Sequence, residues 1–195
     1  DYLPGDLPPN IATKFGFTTR AGTTYHGDGD GKILPCASNL GCEDVLFWRD
    51  LSDAKLIDRT FTSATDAAVT APAGTVENYI PEGKIRGNYL EVEYGGVQTY
   101  TSPNSNYFLF IGANSYVAGA ATYKYNITPQ EAWSIDIKMD DGLPLSGSVL
   151  SNWDANANIA AAAAGVCVTS TSGNPYNIAV SSYANTPACY MGFTF

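Results

Sequence analysis

The residues able to do chemistry are few, and most are acidic. Asp136, Asp140 and Asp141 cluster in NITPQEAWSIDIKMDDGLPLSG, residues 126–147. Grouped carboxylates are the residue type of a glycosidase acid–base pair and of a calcium site. A second set, Asp28 and Asp30, lies in HGDGDGKI, residues 26–33. Its spacing matches part of an EF-hand-type loop: Asp28 and Asp30 as alternate ligands, Gly31 for the sharp turn, Lys32 lending its carbonyl. The loop departs from that pattern, with His26 at the first ligand position and Ala37 where the bidentate Glu belongs. Glu43 or Asp44 would have to complete it. The plain alternative is a polar Gly-Asp turn.

Nucleophilic catalysis finds little support. His26 is the only histidine, and a Ser-His-Asp or Cys-His arrangement would have to use it from within a Gly-Asp turn, a poor place to hold a base. The chain has no G-x-S-x-G, P-loop, dinucleotide fingerprint or H-E-x-x-H. No enzyme activity is expected, because general acid–base machinery is missing. Trp153, in the polar stretch SNWDANAN, is a candidate for stacking on a sugar ring. Asn126-Ile-Thr128 is a formal glycosylation sequon, but its Thr is better used as a helix cap.

Four cysteines, Cys36, Cys42, Cys167 and Cys189, are an even set in a chain of secreted-type composition, so two disulfides are expected. Three pairings are open. The favoured one closes CASNLGC with Cys36–Cys42 and ties two C-terminal strands with Cys167–Cys189. The latter loop would stabilise the fold by roughly 3 kcal/mol. Zinc is disfavoured by the lack of a CxxC pair and by the single histidine.

With 195 residues the chain fits one domain, residues 1–195. Charged residues make up only 15%, the net charge is −9 and the pI about 4.3. That balance leaves nothing to neutralise phosphates and excludes nucleic acid and anionic membrane surfaces as expected partners. No run is long and apolar enough to span a bilayer. The Ala-rich run Ile159–Val168 is too short. With disulfide-type cysteines and no targeting segment, a mature or truncated chain is expected.

The elements that must position these residues are legible in part. Residues 1–14 begin DYLPGDLPPN, which cannot be a helix interior, and read as an extended lead-in. Glu43–Ile57 reads as an amphipathic helix with carboxylates in its first turn and an apolar face of Phe47, Leu51 and Ala54, flanked by Trp48 and Leu56. A second helix starts at Pro129, with Thr128 as cap and Glu131 completing a capping box. Its expected apolar face is Ala132, Ile135 and Met139, with Trp133 and Ile137 beside it. Carboxylates at its C-terminal end oppose the helix dipole and need a compensating backbone N–H nest, Lys138, another basic residue or a cation. Strands are expected over Asn88–Tyr94, Val97–Thr101, Tyr107–Gly112, Gly147–Asn152, Val166–Thr169 and Ala188–Phe195, with Gly95-Gly96 as a hairpin turn. The fold class is α+β: an antiparallel sheet, two amphipathic helices and long loops.

Several ordered stretches resemble the bacterial prepilin-like proteins, the type IV pilin and type II secretion pseudopilin group. The lead-in Tyr2, Leu3-Pro4-Gly5-Asp6, Ala12-Thr13 is similar to the family segment that follows its long N-terminal helix. Glu43, Phe47-Trp48, Leu51, Ala54 and Leu56-Ile57 resemble its E-x-x-x-F-W-x-x-L-x-x-A-x-L-I helix. The stretch 129–147 resembles its P-x-x-A-x-x-I-D-x-K-x-D-D-G-x-P-x-x-G element, and 79–87 is a weaker match. The Cys36–Cys42 loop and the Ala-rich insert depart from the pattern. The resemblance implies a pilin-like head without its apolar N-terminal helix. Such a head is a structural subunit of a type IV pilus-like or type II secretion filament, outside the bacterial cell or in its periplasm. Its partners would be other copies or related subunits, and calcium at Asp28/Asp30 or at Asp136/Asp140/Asp141 would lock loops. The alternative is a secreted carbohydrate-binding or adhesin module.

Overall fold

The structure, a computed structural model, describes residues 2–17, 27–34, 43–61, 70–71, 75–85, 87–94, 105–117, 122–151, 167–169, 175–179 and 184–195. His26, Cys36, Cys42, Trp153, the Gly95-Gly96 turn, Val97–Thr101 and nearly all of the Ala-rich run lie outside these residues. The chain divides into two compact units, Asp1–Tyr94 with Ala113–Thr122, and Gly95–Gly112 with Tyr123–Phe195. Each has helix and antiparallel strand, so the class is α+β.

In the first unit, α1 (Pro9–Lys14) and α2 (Glu43–Asp53) precede β1 (Thr70–Ala71), a 3-10 turn (Val76–Asn78) and β2 (Asn88–Tyr94). β1 pairs antiparallel with the end of β3, Thr70 opposite Val117 and Ala71 opposite Tyr116. α2 packs on β2, around buried Ile33, Val45, Leu46, Phe61, Val76 and Val92. Trp48 is core, as its helical spacing predicts, edge-on to Phe47 at 5.2 Å.

Two expectations are corrected here. The lead-in is not extended through residue 14: Pro9, at the position where proline suits a helix start, opens α1. α1 ends at Gly16 (φ +74), with the Phe17 N–H reaching back to the Ala12 carbonyl. α2 stops at Asp53 rather than Ile57, in the same kind of turn. Lys55 takes φ +57 and the Leu56 N–H donates to the Leu51 carbonyl at 2.9 Å. Ala54 and Leu56 are therefore exposed, and the buried residues of α2 lie between Glu43 and Asp50, with the carboxylates Glu43, Asp44 and Asp50 among them.

In the second unit the first half of β3 (Asn106–Val117) pairs antiparallel with β6 (Met191–Thr194), Phe108 opposite Phe193 and Phe110 opposite Met191. β5 (Val149–Ser151) flanks β6 on its other side. β4 (Thr122–Lys124) leads into α3 (Pro129–Met139), which packs on β5. Tyr107, Leu109, Leu150 and Tyr190 form the core, with Tyr125 stacked on Tyr190 at 5.6 Å. α3 begins with the expected capping box: Thr128 Oγ1 accepts from the Glu131 N–H, and Glu131 Oε2 accepts from the Thr128 N–H at 2.9 Å. Its buried face differs from expectation, being Pro129, Ala132 and Asp136, while Ile137 and Met139 are exposed. The Cys167–Cys189 disulfide forms, with Cα atoms 5.2 Å apart.

Among the described residues no helix is long and apolar enough to cross a membrane.

Candidate functional site

Both acidic sets expected from sequence become compact groups, one in each unit. In the first, Asp28 and Asp30 are joined by Asp6, their carboxylate oxygens within 4.8 Å of one another. Asp6 is fully buried. Its Oδ1 accepts from the Gly29 N–H at 2.6 Å and its Oδ2 from the Gly31 N–H at 2.8 Å. Gly29 (φ +81) and Gly31 (φ +83) take left-handed backbone that aims these N–H groups at one carboxylate. Asp28 accepts from the Asp30 N–H and Asp30 from the Lys32 N–H, at 3.0 and 2.9 Å, two successive Asx turns. Lys32 brings its ammonium, 2.8 Å from Asp30 Oδ2.

The helix side of this group is also acidic. Glu43 is buried and its Oε2 accepts from the Leu34 N–H at 2.8 Å. Burial pushes its carboxyl up to about 8. The Leu34 bond opposes that rise, and the charges of Asp6, Asp28 and Asp30 add to it. Asp6 is raised for the same leading reason, burial. The lead-in is fixed to α2 directly: the Gly5 N–H donates to Asp50 Oδ2 at 2.7 Å. Gly5 (φ +83) lies so close to the Glu43 carbonyl and the Phe47 N that a Cβ would collide with backbone.

In the second group Asp136, Asp140 and Asp141 come equally close. Asp136 is fully buried, accepting from Gly142 N–H at 3.1 Å and from Tyr176 O–H at 2.8 Å. Burial raises its pKa against these two bonds, and burial followed by the Asp136 bond raises that of Tyr176. Asp140 Oδ2 accepts from the N–H groups of Ser148 and Val149. Asp141 accepts from Leu143 N–H at 2.8 Å and Ser146 Oγ at 2.6 Å, and the Ser146 hydroxyl leads in holding its pKa below the ordinary value. Of the compensating partners open in the sequence, backbone N–H groups are present among the described residues, and the hydroxyls of Tyr176 and Ser146, which the sequence reading did not name, join them.

Sequence reasoning found Asp28, Asp30, Asp136, Asp140 and Asp141 but missed Asp6 and Tyr176. The third carboxylate of the first group is Asp6. Glu43 serves Leu34. No periodic signal marks Asp6 or Tyr176, since each acts across a long chain separation. The Leu3-Pro4-Gly5-Asp6 turn was the only hint.

Calcium prefers six to eight hard oxygen ligands, and each group supplies three carboxylates. In the first, the Lys32 ammonium already balances Asp30. In the second, the partners seen among the described residues are backbone N–H groups and the hydroxyls of Tyr176 and Ser146. In each group at least five of the six carboxylate oxygens accept a hydrogen bond from a described residue. Both are therefore held together by their own hydrogen bonds.

Comparison with protein-family models, curated proteins and solved structures yields no match.

Proposed function

We propose that this chain is the head of a pilin-like subunit, acting by assembly into a type IV pilus-like or type II secretion filament and by surface display rather than by turnover. The support is the ordered set of stretches together with what they do in the fold. The observation that carries the reading is the anchoring of the lead-in. Gly5 and Asp6 tie it at once to α2, through Asp50, and to the Gly27–Lys32 loop, through Gly29 and Gly31. A filament head must be rigidly joined to the helix that carries it, and this clamp would provide such a joint. In this reading the partners are further copies or related subunits. The location is the cell surface or periplasm of a bacterium, and calcium, where it binds, is held by Asp136, Asp140 and Asp141.

The gene's upstream sequence tests the reading. A filament subunit requires an apolar helix of about 20 residues directly before Asp1, preceded by a short basic leader. An ordinary signal peptide or another domain there would favour the secreted sugar-binding module instead.

A further inference from the structure

The chain contains three Asp-Gly pairs, Asp28-Gly29, Asp30-Gly31 and Asp141-Gly142. This pair has a chemistry of its own, because no side chain shields the glycine nitrogen from the aspartyl Cγ before it. When the nitrogen attacks, a C–N bond forms and a C–O bond of the protonated carboxyl breaks. The oxygen leaves as water, taking the carboxyl proton and the amide proton, and a succinimide ring remains. Water then opens the ring. Where it breaks the bond between the nitrogen and the original backbone carbonyl, the chain runs on through Cγ as isoaspartate, one methylene longer. Water is the only co-reactant.

All three pairs are held in the same way. Each glycine takes left-handed backbone, φ +81, +83 and +77. Each aspartate is exposed and accepts from the N–H two residues on: Asp28 from Asp30, Asp30 from Lys32, Asp141 from Leu143. Each glycine N–H donates to an aspartate that is fully buried. Gly29 and Gly31 donate to Asp6 at 2.6 and 2.8 Å, and Gly142 donates to Asp136 at 3.1 Å. Both reacting groups of every pair are thus bound elsewhere. Water reaches the aspartates, but the nitrogen can turn on Cγ only after its bond to the buried carboxylate breaks.

The two guards differ in place. Asp136 lies six residues from its glycine, whereas Asp6 lies on the lead-in, 23 and 25 residues from Gly29 and Gly31. Protection of Asp28 and Asp30 therefore lasts while the lead-in stays docked. The fit between lead-in and loop is tight. A Cβ on Gly27 would fall on the Asp6 backbone, and one on Gly29 would meet Tyr2 and Pro8.

We infer that Asp28 and Asp30 form a modification site that opens when the lead-in lifts, and that isoaspartate formed there blocks its return. The added methylene moves the Gly29 and Gly31 N–H groups off Asp6, and the close contact at Gly27 leaves no room to compensate. Release of the lead-in then runs one way. Asp141, guarded from α3, does not respond to the lead-in. The inference does not rest on the pilin-like reading.

The test incubates the full chain at neutral pH and physiological temperature and counts isoaspartate at each pair by electron-transfer fragmentation of its peptides. Folded wild type should convert at all three pairs about tenfold or more slowly than free peptides of residues 26–33 and 138–145, as expected when a hydrogen bond to a charged group must break first. Asp6→Ala should bring Asp28 and Asp30 close to the peptide rate and leave Asp141 at the wild-type rate. Asp6→Asn, which keeps one acceptor, should release one of the two pairs. Val92→Ala loosens the buried core of the same unit without touching the joint, so its Asp28 and Asp30 rates should stay near wild type. Wild type converting at the peptide rate would overturn the inference, as would Val92→Ala releasing both pairs as fast as Asp6→Ala. The isoaspartate-bearing fraction, separated by ion exchange, should exchange its Gly5 amide proton faster than unmodified chain. Equal exchange would overturn the one-way release.

Discussion

Asp6 holds the Gly29 and Gly31 N–H groups on its two carboxylate oxygens, across 23 and 25 residues of chain. The lead-in, the Gly-Asp loop and α2 therefore share one joint. Asp6→Asn puts an amide donor where a second acceptor is needed and leaves one part-buried N–H unmatched beside a buried side chain. The expected loss is about 1–3 kcal/mol in urea unfolding. Gly5→Ala should cost at least as much, since its Cβ would meet α2 backbone. Wild-type stability in Asp6→Asn would show that the joint is not built as described.

Glu43 sets a pH dependence whose sign is fixed. Its carboxyl titrates at about 8 in the folded chain against an ordinary 4.5. Between those values the folded state keeps a proton that the unfolded state has released. Stability from this group is therefore full below about 4.5 and is lost as pH rises towards 8. Asp6 and Asp136, raised in the same direction, act in the same sense. Glu43→Gln, which keeps an acceptor for Leu34, should flatten the fall in Tm between pH 5 and 8. It should also raise Tm at pH 8 by roughly 2–4 °C for each kcal/mol recovered. An unchanged slope would mean that Glu43 is ionised in the fold.

The disulfide positions the second acidic group at one remove. Cys167 lies next to Val168, which bridges Tyr176, and Asn177 donates to the Cys167 carbonyl at 2.9 Å. Tyr176 in turn bonds Asp136. Tyr176→Phe should cost about 1–3 kcal/mol by withdrawing a donor from a buried carboxylate. Replacing Cys167 and Cys189 together by Ser should cost about 2–4 kcal/mol. In the background without the Cys167–Cys189 bond Tyr176→Phe should cost less, and a double-mutant cycle measures the difference. Strict additivity would break the proposed link.

The sequence showed best what is local. The Thr128–Glu131 capping box needs only three residues of separation and formed as read. The Cys167–Cys189 pair was legible because cysteines announce themselves. The α+β class followed from the periodicity of α2, α3, β2 and β3. What failed depended on distant partners. Asp136 occupies the buried face of α3, and Met139 is left outside, because Tyr176, 40 residues on, supplies a hydroxyl. α2 ended early at Lys55, where no glycine marks a left-handed turn. Asp6 was invisible because its partners are backbone N–H groups, which no residue type reveals.

Calcium is separable from these hydrogen bonds. If it binds Asp136, Asp140 and Asp141, millimolar calcium should raise Tm relative to EDTA, by an amount growing with the logarithm of concentration. Asp141→Ala should remove the rise and Asp28→Ala should not. A rise removed by Asp28→Ala alone would place the ion in the Gly-Asp loop. No shift at any concentration would mean that the clusters are held by hydrogen bonds alone.

The most direct measurement of the central claim is immunogold electron microscopy of the producing cells and of filaments sheared from them, using antibody to this chain. The account predicts label at regular intervals along filaments, and loss of that label when the coding sequence for the head is deleted. Antigen recovered only as a dispersed soluble protein, with filaments unlabelled, would contradict it.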